Sequence, residues 1–167
     1  MSERVKILAS KKIQQMIERM VHEIVENFYG EKELTIVGVR SLGSKLADRI
    51  CKRLEELDHF SIVYYDLEIV KDNPLKSAIT FHPEASSLKG KRVLLIDDVL
   101  NSGRTMIYAA QHILKEPVKS LTTLCLVNRI HRRFPIKADI VGISLSTTLK
   151  EHILVDLYKG REAIFLE

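Results

Sequence analysis

The residues best suited to chemistry lie in VLLIDDVLNSGRTM, residues 93–106. An apolar run ends in two adjacent carboxylates, Asp97 and Asp98, followed by Asn101, Ser102, Gly103 and a helical pattern that starts near Thr105. Ionised carboxylates accept hydrogen bonds strongly, which suits the hydroxyls of a sugar but not a phosphate. An anion is suited instead by the Ser102 and Thr105 hydroxyls, by a glycine that allows close backbone approach, and by the free N–H groups of a helix start. Side by side, the two sets of groups describe a site for a phosphorylated sugar. A bare Asp-Asp pair would read equally as a solvated or capping turn, so the chemistry rests on the whole pattern.

Such a site needs a strand that delivers its carboxylates at its carboxyl end, where ligands bind in open parallel sheets. RVLLID supplies that strand, DVLNSG the turn, and Met106, Ala109, Ala110, Ile113 and Leu114 the apolar face of the following helix. Upstream, Ser10 reads as the N-cap of an amphipathic helix through Ile13, Met16, Ile17, Met20, Val21, Ile24, Val25 and Phe28, closed near Gly30. LTIVGV (34–39) reads as a buried strand, and Leu46, Ala47, Ile50, Cys51 and Leu54 as a helix after Gly43. FSIVYYDLEIV (60–70), LTTLCLV (121–127), ADIVGIS (138–144), HILVDLY (152–158) and AIFL (163–166) complete the strands. The alternation predicts an α/β fold with a central, mostly parallel sheet flanked by helices. The polar stretch of about twenty residues before RVLLID is too long for a simple connection and is expected to be a mobile flap, with an added hairpin or disorder as the other options.

The 167 residues are 46% hydrophobic and hold no Gly/Ser-rich or Pro-rich linker, which fits one domain over 1–167. The apolar runs are too short to span a bilayer and MSERVKILASKK lacks a signal-peptide core, so a cytoplasmic protein with no membrane partner is expected. Cys51 and Cys125 lie far apart among apolar neighbours and are expected to be inert buried thiols. A net charge of +4, from 26 Lys+Arg against 22 Asp+Glu, suits a phosphate-rich ligand or nucleic acid without choosing between them.

VLLIDDVLNSGRTM resembles the phosphoribosyl pyrophosphate signature of type I phosphoribosyltransferases. KILASKKIQQMIERMVHEIVENFYG, LTIVGVRSLGSKLADRI and LVNRIHRRFPIKADIVG resemble, in order, segments of the pyrimidine operon attenuator proteins that are also uracil phosphoribosyltransferases. That resemblance implies the type I fold, with a small hood and a flexible loop over 72–89. It implies that Asp97 and Asp98 hold the ribose hydroxyls, and that Asn101, Ser102, Gly103, Arg104 and Thr105, with Val99 and Leu100 before them, surround the 5-phosphate. Arg40, Ser41, Leu42 and Gly43 match the pyrophosphate loop, Lys71 stands near the ligand's phosphates, Asn128 faces the base, and Ile153 is placed in the hood. The family also implies Mg²⁺ held mainly by the ligand's own oxygens, and at least a homodimer.

Departures bear on the chemistry. The family usually has a second basic residue where Leu42 stands, and Asp-Arg-Gly where Asn128, Arg129 and Ile130 stand. A 6-oxopurine phosphoribosyltransferase, the nearest alternative, normally has aspartate at Asn101 and lysine at Asn128, so the resemblance favours uracil as acceptor. An RNA-binding regulator that senses pyrimidine nucleotides and contacts an mRNA leader is a different class. Its candidates are Arg19 and His22 on the first helix and Arg129, His131, Arg132, Arg133 and Lys137 after LTTLCLV, although Glu18, Glu23 and Glu26 crowd the same helix. A third option is nucleotide binding without turnover.

Overall fold

A computed structural model describes residues 4–167. Strand β1 (Val5–Ala9) runs into helix α1 (Ser10–Asn27), then β2 (Glu33–Val39), α2 (Leu42–Leu57), β3 (Ser61–Glu68), β4 (Thr80–His82), β5 (Arg92–Leu100), α3 (Arg104–Ile113), β6 (Ser120–Arg129), β7 (Ile140–Leu145), β8 (Ile153–Asp156) and β9 (Ala163–Leu166). Six strands form one sheet in the order β4-β3-β2-β5-β6-β7, parallel except for β4. The expected α/β architecture is the one observed.

Strand alternation sorts the core into two layers. Leu94 and Ile96 of β5 face α1 and α2, whereas Val93 and Leu95 face α3. Burial on both faces explains why β2 and β5 are almost uninterrupted apolar runs, and it places the end of β5 in the middle of the sheet.

The second sheet is antiparallel, in the order β1-β9-β8, and forms the hood. Strand β1 carries no clear alternation and was not legible in the sequence. Glu162 anchors this sheet: its carboxylate accepts from Ser10 Oγ at 2.9 Å, from Arg49 at 2.8 Å and from the Gly160 N–H at 3.0 Å. Hydrogen bonds from its own backbone, from Ser10 and from Arg49 hold its pKa down to about 2.

Several sequence expectations shift. Ser10 is the first residue of α1 and its hydroxyl serves Glu162; Ala9 occupies the cap position. Strand β5 continues through the expected turn to Leu100, because Val99 and Leu100 still pair with Val127 and Asn128 of β6. Leu114 lies past the end of α3 and is exposed. Within the expected flap, residues 80–82 form β4, an edge strand on β3, so the hairpin option describes that part. Leu42 and Gly43 belong to the first turn of α2 instead of a loop. The strand patterns 60–70 and 152–158 are trimmed to β3 and β8. Cys51 and Cys125 are buried as expected, and burial pushes both thiols up to about 12. Among the described residues no helix is long and apolar enough to cross a membrane.

Glu162→Gln keeps the shape but withdraws the charge that Arg49 and Ser10 face. It is expected to cost about 1–3 kcal/mol in urea unfolding near neutral pH. Because the carboxyl pKa is depressed in the folded chain, the wild-type advantage should fade as pH falls below the unfolded glutamate value toward about 2.

Candidate functional site

Asp97 and Asp98 occupy the carboxyl-terminal part of β5, in the middle of the sheet, and are almost fully buried. Two carboxylates there need a cation, and Lys71, three residues beyond the end of β3, supplies it. Its Nζ lies 3.1 Å from Asp97 Oδ1 and 3.5 Å from Asp98 Oδ1. Burial works against the Lys71 ammonium, but the Asp97 and Asp98 charges outweigh it and hold its pKa above the ordinary lysine value. Burial, and then the neighbouring Asp98, push the Asp97 carboxyl up to about 8, with Lys71 pulling the other way. The Asp98 N–H donates to Asp97 Oδ1 at 2.9 Å, which fixes the upper carboxylate against the strand.

Past the strand the chain turns through Asn101–Gly103 and enters α3. Gly103 has φ +89, and a Cβ there would meet Ile136 Cγ2 at 2.8 Å, so conformation and space both demand glycine. The Ser102 carbonyl accepts the N–H groups of Arg133 and Phe134, tying the turn to the segment after β6. Ser102 Oγ accepts the Arg104 N–H at 3.3 Å, and Arg104 Nη1 donates to the Asp72 carbonyl at 3.0 Å. A cleft of about 60 Å³ lies among Lys71, Asp97 and residues 99–106. The structure thus brings Lys71, Asp97, Val99, Leu100, Asn101, Ser102, Gly103, Arg104 and Thr105 around one small cleft, with Asp98 beside it.

The loop between β2 and α2 packs beneath the pair. A Cβ on Gly43 would lie 3.0 Å from Asp97 Oδ1, so only glycine lets the α2 start sit so close. Ser41 holds φ +90, a strained value for a residue with a side chain. Leu42 packs on the core between the helices. The Arg40 N–H donates to the Leu67 carbonyl at 2.9 Å, but its guanidinium is turned to Glu68 Oε2 at 2.5 Å. That same Glu68 oxygen lies 2.8 Å from His82 Nε2 of β4. Glu68 was not singled out from sequence. A carboxylate on an edge-facing strand position reads as solvated surface, and its place three residues before Lys71 was the available signal.

Asn128, at the end of β6, accepts from Arg132 Nη2 at 2.6 Å and donates to Ser144 Oγ at 3.2 Å. Arg132 Nη1 reaches the Asn101 carbonyl at 3.4 Å, so Arg132 spans from the β6 end to the turn after β5. Ile153 lies in β8 and packs on the core shared with α1 and α2; it does not line the small cleft.

The basic candidates scatter. Arg19 donates to the Val141 and Gly142 carbonyls at 3.0 and 2.6 Å and pairs with Glu23, which covers the outer edge of β7. His22 lies 3.2 Å from Glu18. Arg129 donates to Thr147 Oγ1 at 2.7 Å and to the Thr148 carbonyl at 2.9 Å, and His131 meets the Thr147 carbonyl, so both brace the loop after β7. Arg133 and Lys137 are exposed and have no carboxylate partner among the described residues.

Carboxylates for hydroxyls and a glycine-led helix start for an anion converge on one cleft, and residues 4–158 match the phosphoribosyl transferase domain family. The chain belongs to that family. It is 31% identical over 173 residues to the bifunctional protein PyrR of Limosilactobacillus reuteri, covering 96% of this chain and 97% of the relative. It is 34% identical over 168 residues to the PyrR of Leuconostoc citreum, covering 95% of each. In shape this phosphoribosyl transferase resembles a hypoxanthine phosphoribosyltransferase from Staphylococcus aureus, with TM-score 0.76, 20% identity and coverage of 95% of this chain and 89% of that one. A hypoxanthine-guanine phosphoribosyltransferase from Bacillus anthracis gives TM-score 0.78 at 16% identity, covering 98% of both chains. At these identities the structural likeness speaks for the fold, while the sequence relatives are PyrR proteins.

The Asp97 environment makes a thermodynamic prediction. An unfolded aspartate titrates near about 3.9, so between that value and about 8 the folded chain binds the extra proton and stability falls as pH rises. Asp97→Asn keeps an acceptor for the Asp98 N–H without the buried charge. Thermal melts should show the variant melting higher than wild type, by a margin that grows from about pH 5 to about pH 8. A lower melting temperature at both would mean that the Lys71 pair outweighs the burial.

Proposed function

We infer that the protein transfers the phosphoribosyl group from phosphoribosyl pyrophosphate to uracil, giving UMP and pyrophosphate. The observation that carries this reading is the buried Asp97-Asp98 pair, faced by Lys71, directly beside the Ser102–Thr105 helix start. The kinship with PyrR proteins over almost the full length supports a pyrimidine acceptor.

In this reading Asp98 and Asp97 accept hydrogen bonds from the ribose 2- and 3-hydroxyls, and the Gly103–Thr105 backbone N–H groups with the Ser102 and Thr105 hydroxyls hold the 5-phosphate. With both ends of the sugar fixed, the anomeric carbon is presented to the base, and positioning supplies much of the catalysis. The bond to the pyrophosphate oxygen breaks as an oxocarbenium-like centre develops. The uracil nitrogen attacks the opposite face, forms the glycosidic bond and gives up its proton to solvent water. Arg40 leaves Glu68 to meet the departing pyrophosphate, and Lys71 adds charge from the ribose side. Asn101 is an amide and cannot take up a proton as a carboxylate base does, which fits an acceptor acidic enough to need no strong base.

Asp97 and Asp98 offer the hard oxygen donors that Mg²⁺ prefers. No cluster of three His, Cys, Asp or Glu side chains among the described residues could hold a metal alone, which fits an ion held chiefly by the ligand's oxygens. When bound, it supplies positive charge against the pyrophosphate. Initial rates with uracil, hypoxanthine and guanine at equal, subsaturating concentration compare kcat/KM directly. Uracil should be converted fastest, and Asp98→Asn should lower the rate by about tenfold or more. Faster conversion of hypoxanthine would overturn the assignment of the base, and nucleotide binding without turnover of any base would make the protein a sensor.

A second reading, binding of a pyrimidine-gene mRNA leader, is favoured by the unpaired exposed charges of Arg133 and Lys137. Gel-shift titrations at two salt concentrations should show that replacing both by alanine weakens binding and lowers the salt slope by about two, one for each lost phosphate contact. An unchanged slope would remove these residues from any RNA surface.

A further inference from the structure

Arg132 occupies a place that its exposure alone does not explain. Its guanidinium reaches across the mouth of the site, from Asn128 Oδ1 at 2.6 Å to the Asn101 carbonyl at 3.4 Å. These residues belong to two neighbouring clefts. Asn101 lines the small one beside Asp97. Asn128 and Arg132 line a second, of about 610 Å³, with Pro135, Ile136, Lys137 and Ala138. Ile136 packs directly against Gly103, so the second cleft opens next to the phosphate-sized one. No carboxylate neutralises Arg132 among the described residues, and its two polar contacts use only part of the guanidinium's five N–H groups.

We propose that Arg132 is the specificity-determining residue of the second cleft, selecting a base that presents an exocyclic oxygen over one that presents an amino group. This rests on the reading of the first cleft as the phosphoribosyl site, which places the base of a bound nucleotide toward Asn128. A guanidinium donates at every position and never accepts. An oxo group facing it accepts a charge-assisted hydrogen bond, whereas an amino group sets N–H against N–H and leaves the cation desolvated without a partner. Arg132 also fixes Asn128: because it can only donate, the amide must turn its oxygen to Arg132. The amide nitrogen is then left to Ser144, 3.2 Å away, and to a base acceptor. Arg132 and the Asn128 amide nitrogen thus both present donors on this side.

Calorimetric titration of the full chain with UMP, CMP and ribose 5-phosphate tests the assignment without requiring turnover. Wild type should bind UMP about tenfold or more tighter than CMP, the effect of one charged hydrogen bond. Arg132→Ala should bring UMP to the CMP level and leave ribose 5-phosphate unchanged, and Arg132→Lys should restore part of the preference. A generally disordered cleft would lose all three ligands together, and that result overturns the proposal, as does an Arg132→Ala variant that keeps the wild-type UMP/CMP ratio. Wild type that binds ribose 5-phosphate without telling UMP from CMP sinks this inference alone. Wild type that binds none of the three sinks the phosphoribosyl reading with it.

Discussion

Two carboxylates brought out of water at the end of the central strand impose a constraint that the surrounding elements answer. Asp97 and Asp98 lie where burial and mutual repulsion oppose ionisation, and Lys71 is the cation that offsets this in part. Replacing such an arrangement by apolar residues would often stabilise a fold, so a buried acidic pair marks a site where stability has been given up for binding. Lys71 can reach the pair because β3 is parallel to β2 and ends level with it, and the backbone of Arg40 is tied to Leu67 beside it. Gly43 keeps the start of α2 close enough to seal the underside of Asp97.

The same logic explains the loops beyond β6 and β7. Arg129 and His131 look like free charges in the sequence, but they bond to Thr147 and the Thr148 carbonyl and hold the far wall. Arg133 and Phe134 donate backbone N–H groups to the Ser102 carbonyl, so the turn after β5 is held by the neighbouring loop as well as by its own Ser102 hydroxyl on the Arg104 N–H. The hood is tied down separately, through Glu162 to α1 and α2. Its fastening therefore does not depend on the acidic pair.

How much of this could be read from the sequence depends on whether the determining contacts are local. The buried runs of β2 and β5 and the helical period of α1 and α2 announce themselves, because burial on a face repeats at a fixed interval. The grouping around Asp97, Ser102 and Thr105 follows from strand-turn-helix order, whereas Lys71 is reached only through the family resemblance. Strand β1 hides because its partner β9 is at the other end of the chain. The continuation of β5 to Leu100 hides because β6, and not the local turn residues, extends the pairing. Ser10 misleads because a hydroxyl before a helix looks like a cap whether or not a buried Glu162 claims it. Charges are the least legible of all. Arg19, Arg40, Arg129 and Arg132 have similar polar surroundings in sequence, yet one covers a sheet edge, one sits on Glu68, one braces a loop and one bridges two clefts.

Leu42 and Glu68 together give the segment between β2 and α2 an unusual balance. Leu42 turns into the core, so the loop offers no second side-chain cation, and Arg40 carries that charge. The Arg40 charge is meanwhile met by Glu68, whose oxygen is shared with His82 of the β4 hairpin. An exposed pair of this kind is held by a fraction of a kcal/mol to about 1 kcal/mol, far less than a multiply charged anion gains from a guanidinium in a partly dry cleft. Glu68 therefore keeps Arg40 ordered and solvated off the site without blocking it. The strained φ of +90 at Ser41 shows that the surrounding structure dictates the backbone at this turn. A cation held so lightly on the surface is free to exchange its carboxylate partner for another anion.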